Sequence, residues 1–328
     1  MKIIPILAFL ATAALAWQNP SGGLRATNTS DMLLNKRGTR YYNEAWSYQF
    51  LFTNGMQATL NFTYAKLGFK DPVCGADLSL ANFHGHNYTV GREYPEDHFH
   101  QSANPFRIQV HEDIWMAGMP PAAHHVRFTA HKNEGFFLDL EFSGMKHGAV
   151  WGDGRFSSGD GDLSSALTIP TANVTGRIAV GRDTITVHGV AMMEHQRQSH
   201  LASDLVSSSL HTFVPGANPF YGNWTKEKNG GWNGFAIEWI NGQPVLLPGA
   251  SAGIDGQTPP VTAQIVSGNG SRVTFVRKSL AQSSSILDGM EGFTRWVVKK
   301  FVGNVHMYRG RAAVNGRSGI YQFLKVGN

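Results

Sequence analysis

Glu194 and His195 are the residues of this 328-residue chain whose types and position offer acid–base chemistry. They lie in the stretch Thr171 to Gln196, which reads as a strand, a tight turn at Gly181-Arg182-Asp183 and a second strand. A carboxyl group at the end of an apolar strand serves as a general acid when its surroundings keep it protonated near neutral pH, and an adjacent imidazole can orient it or a water. Period-two alternation puts Ile185, Val187, Gly189, Ala191 and Met193 on one side, and His188, Val190, Met192 and Glu194 on the other. Glu194 and His195 therefore point oppositely unless a bulge intervenes. On periodicity alone, the plainer reading of Glu194 is a surface carboxylate at a strand end.

Histidines offer a second chemistry. Eight of the fourteen fall between His84 and His131, including the pairs His84-Gly-His86 and His98-Phe-His100. Residues two apart on a strand share a face, so either pair could present two imidazoles to one metal. The first glutamate after His86 is Glu93, seven residues on, too far for the spacing of a cupin-type site, and the expectation is no bound metal and no other cofactor. The single cysteine, Cys74, cannot form an intrachain disulfide and reads as a small buried hydrophobe. Neither a Gly-x-Ser-x-Gly elbow nor a phosphate-binding glycine loop is found.

The elements that must position these groups are strands. Leu60, Phe62 and Tyr64 alternate with Thr59, Asn61 and Thr63, and Leu138, Leu140 and Phe142 alternate with Asp139 and Glu141. Similar alternation occurs at Ile108 to Val110, Val126 to Ala130, Val174 to Val180, Phe235 to Ile240, Val273 to Val276 and His306 to Ala312, with Gly, Asn and Asp turns between. Short helices are expected only around Ser203 to Leu210 and Ile286 to Trp296. The Gly-, Ser- and Asp-rich stretch Gly152 to Ser165 is the expected domain junction.

With 42% hydrophobic and 16% charged residues the chain can bury a large core. A net charge of +5 spread as isolated basic pairs excludes a nucleic-acid surface. Met1-Lys2, the apolar stretch Ile3 to Leu15 and Ala14-Leu15-Ala16 read as a secretory signal peptide, cleaved after Ala16. No later segment is long and apolar enough to span a membrane. Six Asn-x-Ser/Thr sequons start at Asn28, Asn61, Asn87, Asn173, Asn223 and Asn269, so an exported glycoprotein is expected.

The run Pro170 to Gln196, with V-x-G-x-I-x-V followed by V-x-G-x-A-x-M-E-H-Q, resembles the middle of the AttH/CrtC-like proteins. Gly231 to Gly242 resembles that family's next aromatic strand and turn, and Val314-Asn315-Gly316 to Gln322 its closing hairpin. The resemblance covers residues 165 to 328 and implies two lipocalin-like domains with hydratase, carotenoid hydratase or Diels-Alderase relatives. The family's motif continues to Trp-Gly, whereas this chain reads Arg197-Gln198-Ser199, which removes an arene from beside the acid.

Together these readings give an all-β protein of two lipocalin-like antiparallel barrels or sandwiches packed together, with domains at 17–165 and 166–328 after a leader at 1–16. A hydrophobic small molecule, isoprenoid or polyketide in type, is the expected partner, held in a barrel mouth or between the domains by Trp151, Met192, Gln196, Tyr221, Trp232 and Trp239. Glu194 acts as general acid and His195 as its support in a hydratase- or cyclase-type lyase. A non-catalytic carrier of an apolar molecule is the alternative.

Overall fold

The computed structural model describes residues 17–36, 38–68, 71–131, 135–158, 161–228, 230–249, 252–268, 270–285 and 304–327. It is all-β, as two antiparallel sheets of fourteen and ten strands. In the larger, the strands run in the order His86–Pro95, Val73–Phe83, Gln57–Leu67, Tyr41–Phe52, Asp183–Gln198, Gly161–Val180, Phe136–Ser143, His124–Ala130, Ile114–Ala117, Phe106–His111 and His100–Ala103. The sheet curls around one core, in which Trp46, Tyr48, Phe50, Phe62, Leu78, Ile108, Phe128 and Leu140 are sealed from solvent. These residues are the inward positions of the alternating runs, because a pleated strand sends every second side chain to the same face.

The second sheet runs Gln243–Pro248, Trp232–Ile240, Phe220–Glu227, Val206–Val214, Arg317–Gly327, Asn304–Val314, Arg272–Arg277, Thr262–Val266 and Ala252–Ile254. It encloses its own core of Leu210, Val214, Phe220, Trp224, Phe275 and Phe323. A third apolar cluster joins the two sheets, with Leu167 and Met192 from the first meeting Phe213, Tyr221, Phe235, Ile237, Trp239 and Ile320 from the second.

Gly161–Val180 and Asp183–Gln198 form a long hairpin inside the first sheet, flanked by Phe136–Ser143 and Tyr41–Phe52, and the change of sheet falls between Gln198 and Val206. The Gly- and Ser-rich stretch is a hairpin arm, since Arg155–Ser158 pairs with Gly161–Ser164. Its small residues reflect close packing: a Cβ at Gly161 would meet Leu205 Cδ2 at 2.5 Å. The expected helix at Ser203 to Leu210 shrinks to one turn, Ala202–Leu205, followed by the strand Val206–Val214. The other expected helix, Ile286 to Trp296, lies outside the described residues. No described helix is long and apolar enough to cross a membrane.

His124 gives the first core a pH-sensitive element. It is buried, with Nδ1 2.7 Å from the Gly118 carbonyl and Nε2 2.6 Å from the Tyr48 hydroxyl. Burial lowers its pKa from 6.5 to about 4, so the folded chain holds it neutral while the unfolded chain protonates it below 6.5. Stability contributed by this group is thus lost as pH falls from 6.5 toward 4, by about 2 kcal/mol between pH ~7 and ~5. Urea unfolding at those two pH values should show a drop that is about 2 kcal/mol smaller in His124→Gln. An unchanged drop in the variant would refute the assignment.

Candidate functional site

Glu194 stands at the border between the dry inter-sheet cluster and a cavity. Along Asp183–Gln198 the even-numbered residues Met192, Glu194 and Gln196 face the second sheet. Strands opposite carry matching rows: Phe213, His211 and Ser209; Tyr221, Asn223 and Thr225; and Ile320, Gln322 and Leu324. Each row begins in the apolar cluster, and all end at a cavity of about 130 Å³. A register shift around Pro170 accompanies this border, where Leu167 pairs with Glu194 but Ala172 with Ala191. Proline lacks the N–H for a continuous ladder, which accounts for a bulge there.

The Glu194 side chain is 3% exposed. The Tyr221 hydroxyl donates to Oε2 at 2.5 Å, and His211 Nδ1 lies 3.1 Å from Oε1 and 3.2 Å from Oε2. Asn223 Nδ2 donates to the Tyr221 oxygen at 3.2 Å, and Ser165 Oγ lies 3.4 Å from it. Burial, reinforced by the charge and hydrogen bond of Glu194, pushes the Tyr221 phenol well above its usual pKa, so it remains a donor. His211, Asn223 and Ser165 line the cavity directly, together with Asn43, Gln196 and Phe235. With Nδ1 committed to the carboxylate, Nε2 is the His211 nitrogen left for a molecule in the cavity.

His195 belongs to a different cluster. It projects into the first core, stacked on Trp46 at 4.5 Å, with Nδ1 2.7 Å from the Asp31 carbonyl and Nε2 2.8 Å from Glu44 Oε2. Glu44 is fully buried and also accepts from the Asn35 amide at 2.8 Å and from the Tyr42 hydroxyl, with Arg197 Nε 3.3 Å away. Burial alone would raise the Glu44 carboxyl, but the bond and charge of His195, then Arg197 and Tyr42, hold it below the usual range. This network ties residues 31–35 and Arg197 to the barrel.

The cavity and its acid thus lie between two independently cored sheets, and the fold that holds them is similar to that of solved structures. An AttH protein from Nitrosomonas europaea matches with a TM-score of 0.63 at 11% identity, over 94% of this chain and 99% of that one. CghA with Sch210972 matches at 0.61 and 11%, over 88% and 89%. Kievitone hydratase from Nectria haematococca matches at 0.50 and 10%, over 87% and 89%. The fold is that of the AttH/CrtC-like proteins. No family model and no curated protein sequence matches the chain.

Of the expected site residues, the structure brings Glu194, Tyr221 and Gln196 to one place. Met192, Trp151 and Trp239 lie in the neighbouring apolar cluster without lining the cavity, and Trp232 packs on the core of the second sheet. The alternation puts Glu194 and His195 on opposite faces with no bulge against Tyr41–Phe52, and the imidazole beside the Glu194 carboxylate is that of His211. His211 and Asn223 were not anticipated as site residues; Asn223 appeared only as a sequon, and it is 8% exposed.

The expected histidine pairs do not form on one strand face. His84 has φ of +49° in the turn before His86–Pro95, and all four pair members are exposed. The described residues gather His111, Glu112 and Asp113 within 4.8 Å instead, on a turn where Asp113 also faces Arg127 at 3.6 Å. Cys74 is buried, and burial pushes its thiol up to about 11, as befits a packing residue.

Proposed function

We propose that the chain is an acid–base enzyme of the hydratase or cyclase type, acting on a small molecule held between the two sheets. The observation that carries this reading is the buried Glu194 carboxylate, shared by Tyr221 and His211 at the inner end of the cavity. Glu194 is expected to work through His211: the carboxylate fixes the tautomer and stabilises the ring while Nε2 holds the transferable proton. In a hydration, Nε2 gives that proton to a substrate carbon, water adds at the neighbouring carbon, and the proton that water sheds restores the ring. In a cyclisation, the same N–H polarises a substrate carbonyl as the new carbon–carbon bonds form.

The lining refines the substrate. Trp17, Phe156, Leu163 and Phe235 supply an apolar wall, while Asn43, Ser165, Gln196 and Asn223 supply neutral donors and acceptors. Such a surface favours an apolar body bearing several oxygens or amides, closer to a polyketide than to a bare isoprenoid. CghA with Sch210972 and the hydratase named for kievitone are in keeping with a small-molecule site in this fold. The carrier reading has less support, because a carrier gains nothing from a carboxylate buried without a permanent cation.

Export is proposed alongside. The leader and Asn269 lie outside the described residues, but the side chains of Asn28, Asn87 and Asn173 are exposed and open to glycosylation.

The testing experiment incubates the protein with extracts of its source and identifies bound compounds by mass spectrometry. Wild type should release a product that is either an isomer or one water heavier, while Glu194→Gln retains the unreacted compound. The same compound recovered unchanged from both would establish the carrier.

A further inference from the structure

We propose that Trp17 closes the outer end of the Glu194 cavity and so sets the length of molecule that the cavity accepts. The inference rests on the reading of that cavity as a small-molecule site and adds to it the residue that limits size.

A row of rings leads from the acid to Trp17. The Tyr221 ring lies 5.9 Å from that of Phe235, Phe235 stacks on Phe156 at 5.4 Å and 14°, and Phe156 meets Trp17 at 5.6 Å and 38°. Tyr221, Phe235 and Phe156 are buried, whereas Trp17 is partly exposed. Phe235, Phe156 and Trp17 all line the cavity of about 130 Å³. Trp17 is therefore the ring at which the apolar wall reaches solvent. Its Nε1 donates to Asn19 Oδ1 at 3.0 Å, so the single indole donor is engaged locally and the ring offers the cavity apolar surface.

The segment that carries Trp17 is a strap sewn along the rim of the first sheet. Leu24–Ala26 pairs with Ala149–Trp151, the Gly152 amide donates to the Gly23 carbonyl at 2.8 Å, and Trp151 Nε1 donates to the Gly22 carbonyl at 3.0 Å. A Cβ at Gly152 would meet the Ser21 oxygen at 2.0 Å, so the strap and the sheet are in close contact there. Nearer the cavity, Gln18 and Ser157 each donate an amide to the other's carbonyl, at 2.9 and 3.1 Å. This bridge fixes the backbone beside Trp17, and the Asn19 bond and the Phe156 contact fix its ring. A wall held in this way can limit size, because it does not swing aside for a longer molecule.

Trp17 differs from the other wall residues in what lies behind it. Phe235 is backed by the packed inter-sheet cluster, and trimming it would leave a void inside the protein. Trp17 is backed by solvent, so trimming it opens the cavity outward. Long molecules then gain room, and short ones lose an apolar face.

The test is isothermal titration calorimetry of the full chain with 4-alkylphenols from ethyl to octyl, neutral probes that carry an apolar body and one oxygen. In wild type the affinity should rise about fourfold with each added methylene and then level off or fall once the tail reaches Trp17. Trp17→Ala should bind the ethyl member more weakly and continue to gain affinity beyond the wild-type limit, while Trp17→Phe should stay close to wild type. If Trp17→Ala does not fold, Asn19→Ala, which frees the indole, should move the limit in the same direction by less. A limit at the same length in wild type and in these variants would overturn the inference and leave the cavity reading standing. A wild-type affinity that still rises at the octyl member would do the same. Phenols that fail to bind wild type, or that bind unchanged when Ser209→Trp fills the cavity, would overturn both.

Discussion

Glu194→Gln should lower turnover by about 10²- to 10⁴-fold while ligand affinity changes little. Glutamine keeps the size of the side chain and still accepts from Tyr221, but it no longer carries the negative charge that steadies a protonated His211. His211→Asn should lose activity to a similar extent, because it removes the nitrogen facing the cavity. The double variant should be scarcely worse than either single one, since groups that act as a unit do not add. Tyr221→Phe leaves the Glu194–His211 contact in place and should cost less. His195→Ala, by contrast, should act on stability, since both its ring nitrogens are bonded inside the first core. Steady-state kinetics with the compound recovered by mass spectrometry would measure these effects. Full activity in both Glu194→Gln and His211→Asn would eliminate the pair from the chemistry.

Glu44→Ala should destabilise the chain by about 3–5 kcal/mol, a large share of the roughly 5–15 kcal/mol typical of a folded domain. The substitution strips His195, Arg197, Tyr42 and the Asn35 amide of a common acceptor inside a fully buried site. Glu44→Gln retains an acceptor and should cost less, about 1–3 kcal/mol. The sign with pH follows from a carboxyl held below its unfolded value of 4.5. Its stabilisation is complete above that pH and is lost as the pH falls through the lower folded value. Denaturant unfolding near neutral pH would record the difference, and a loss of under about 1 kcal/mol in Glu44→Ala would count against the network.

The strands were legible in the sequence because one face of each is buried and the other is not. His124–Ala130 and Phe136–Ser143 alternate between buried and partly exposed positions as their residues do between apolar and polar. Glu194 was legible as an acid ending an apolar row, and its opposition to His195 followed from the same period. His211 and Asn223 were not, because they reach Glu194 only when a second sheet docks, and periodicity within a strand carries no information about what lies across an interface. The serines at 207–209 also obscured Val206–Val214, whose outward face is polar since it lines the cavity. Close-packed hairpin arms and flexible linkers draw on the same small residues, so composition alone does not tell them apart in Gly152 to Ser165.

Two cores with a cleft between them differ in build from a barrel that swallows its ligand. Each sheet keeps its own sealed interior, and the two meet through a separate apolar cluster. Trp151, Ile237 and Trp239 pack where the two sheets meet without lining the cavity. Trimming or enlarging one of them should widen or narrow the cleft some distance away, altering which molecules are accepted while Glu194, Tyr221 and His211 are left untouched. For a scaffold of this kind, new selectivity can be gained in the packing between the sheets and not only at the walls of the site.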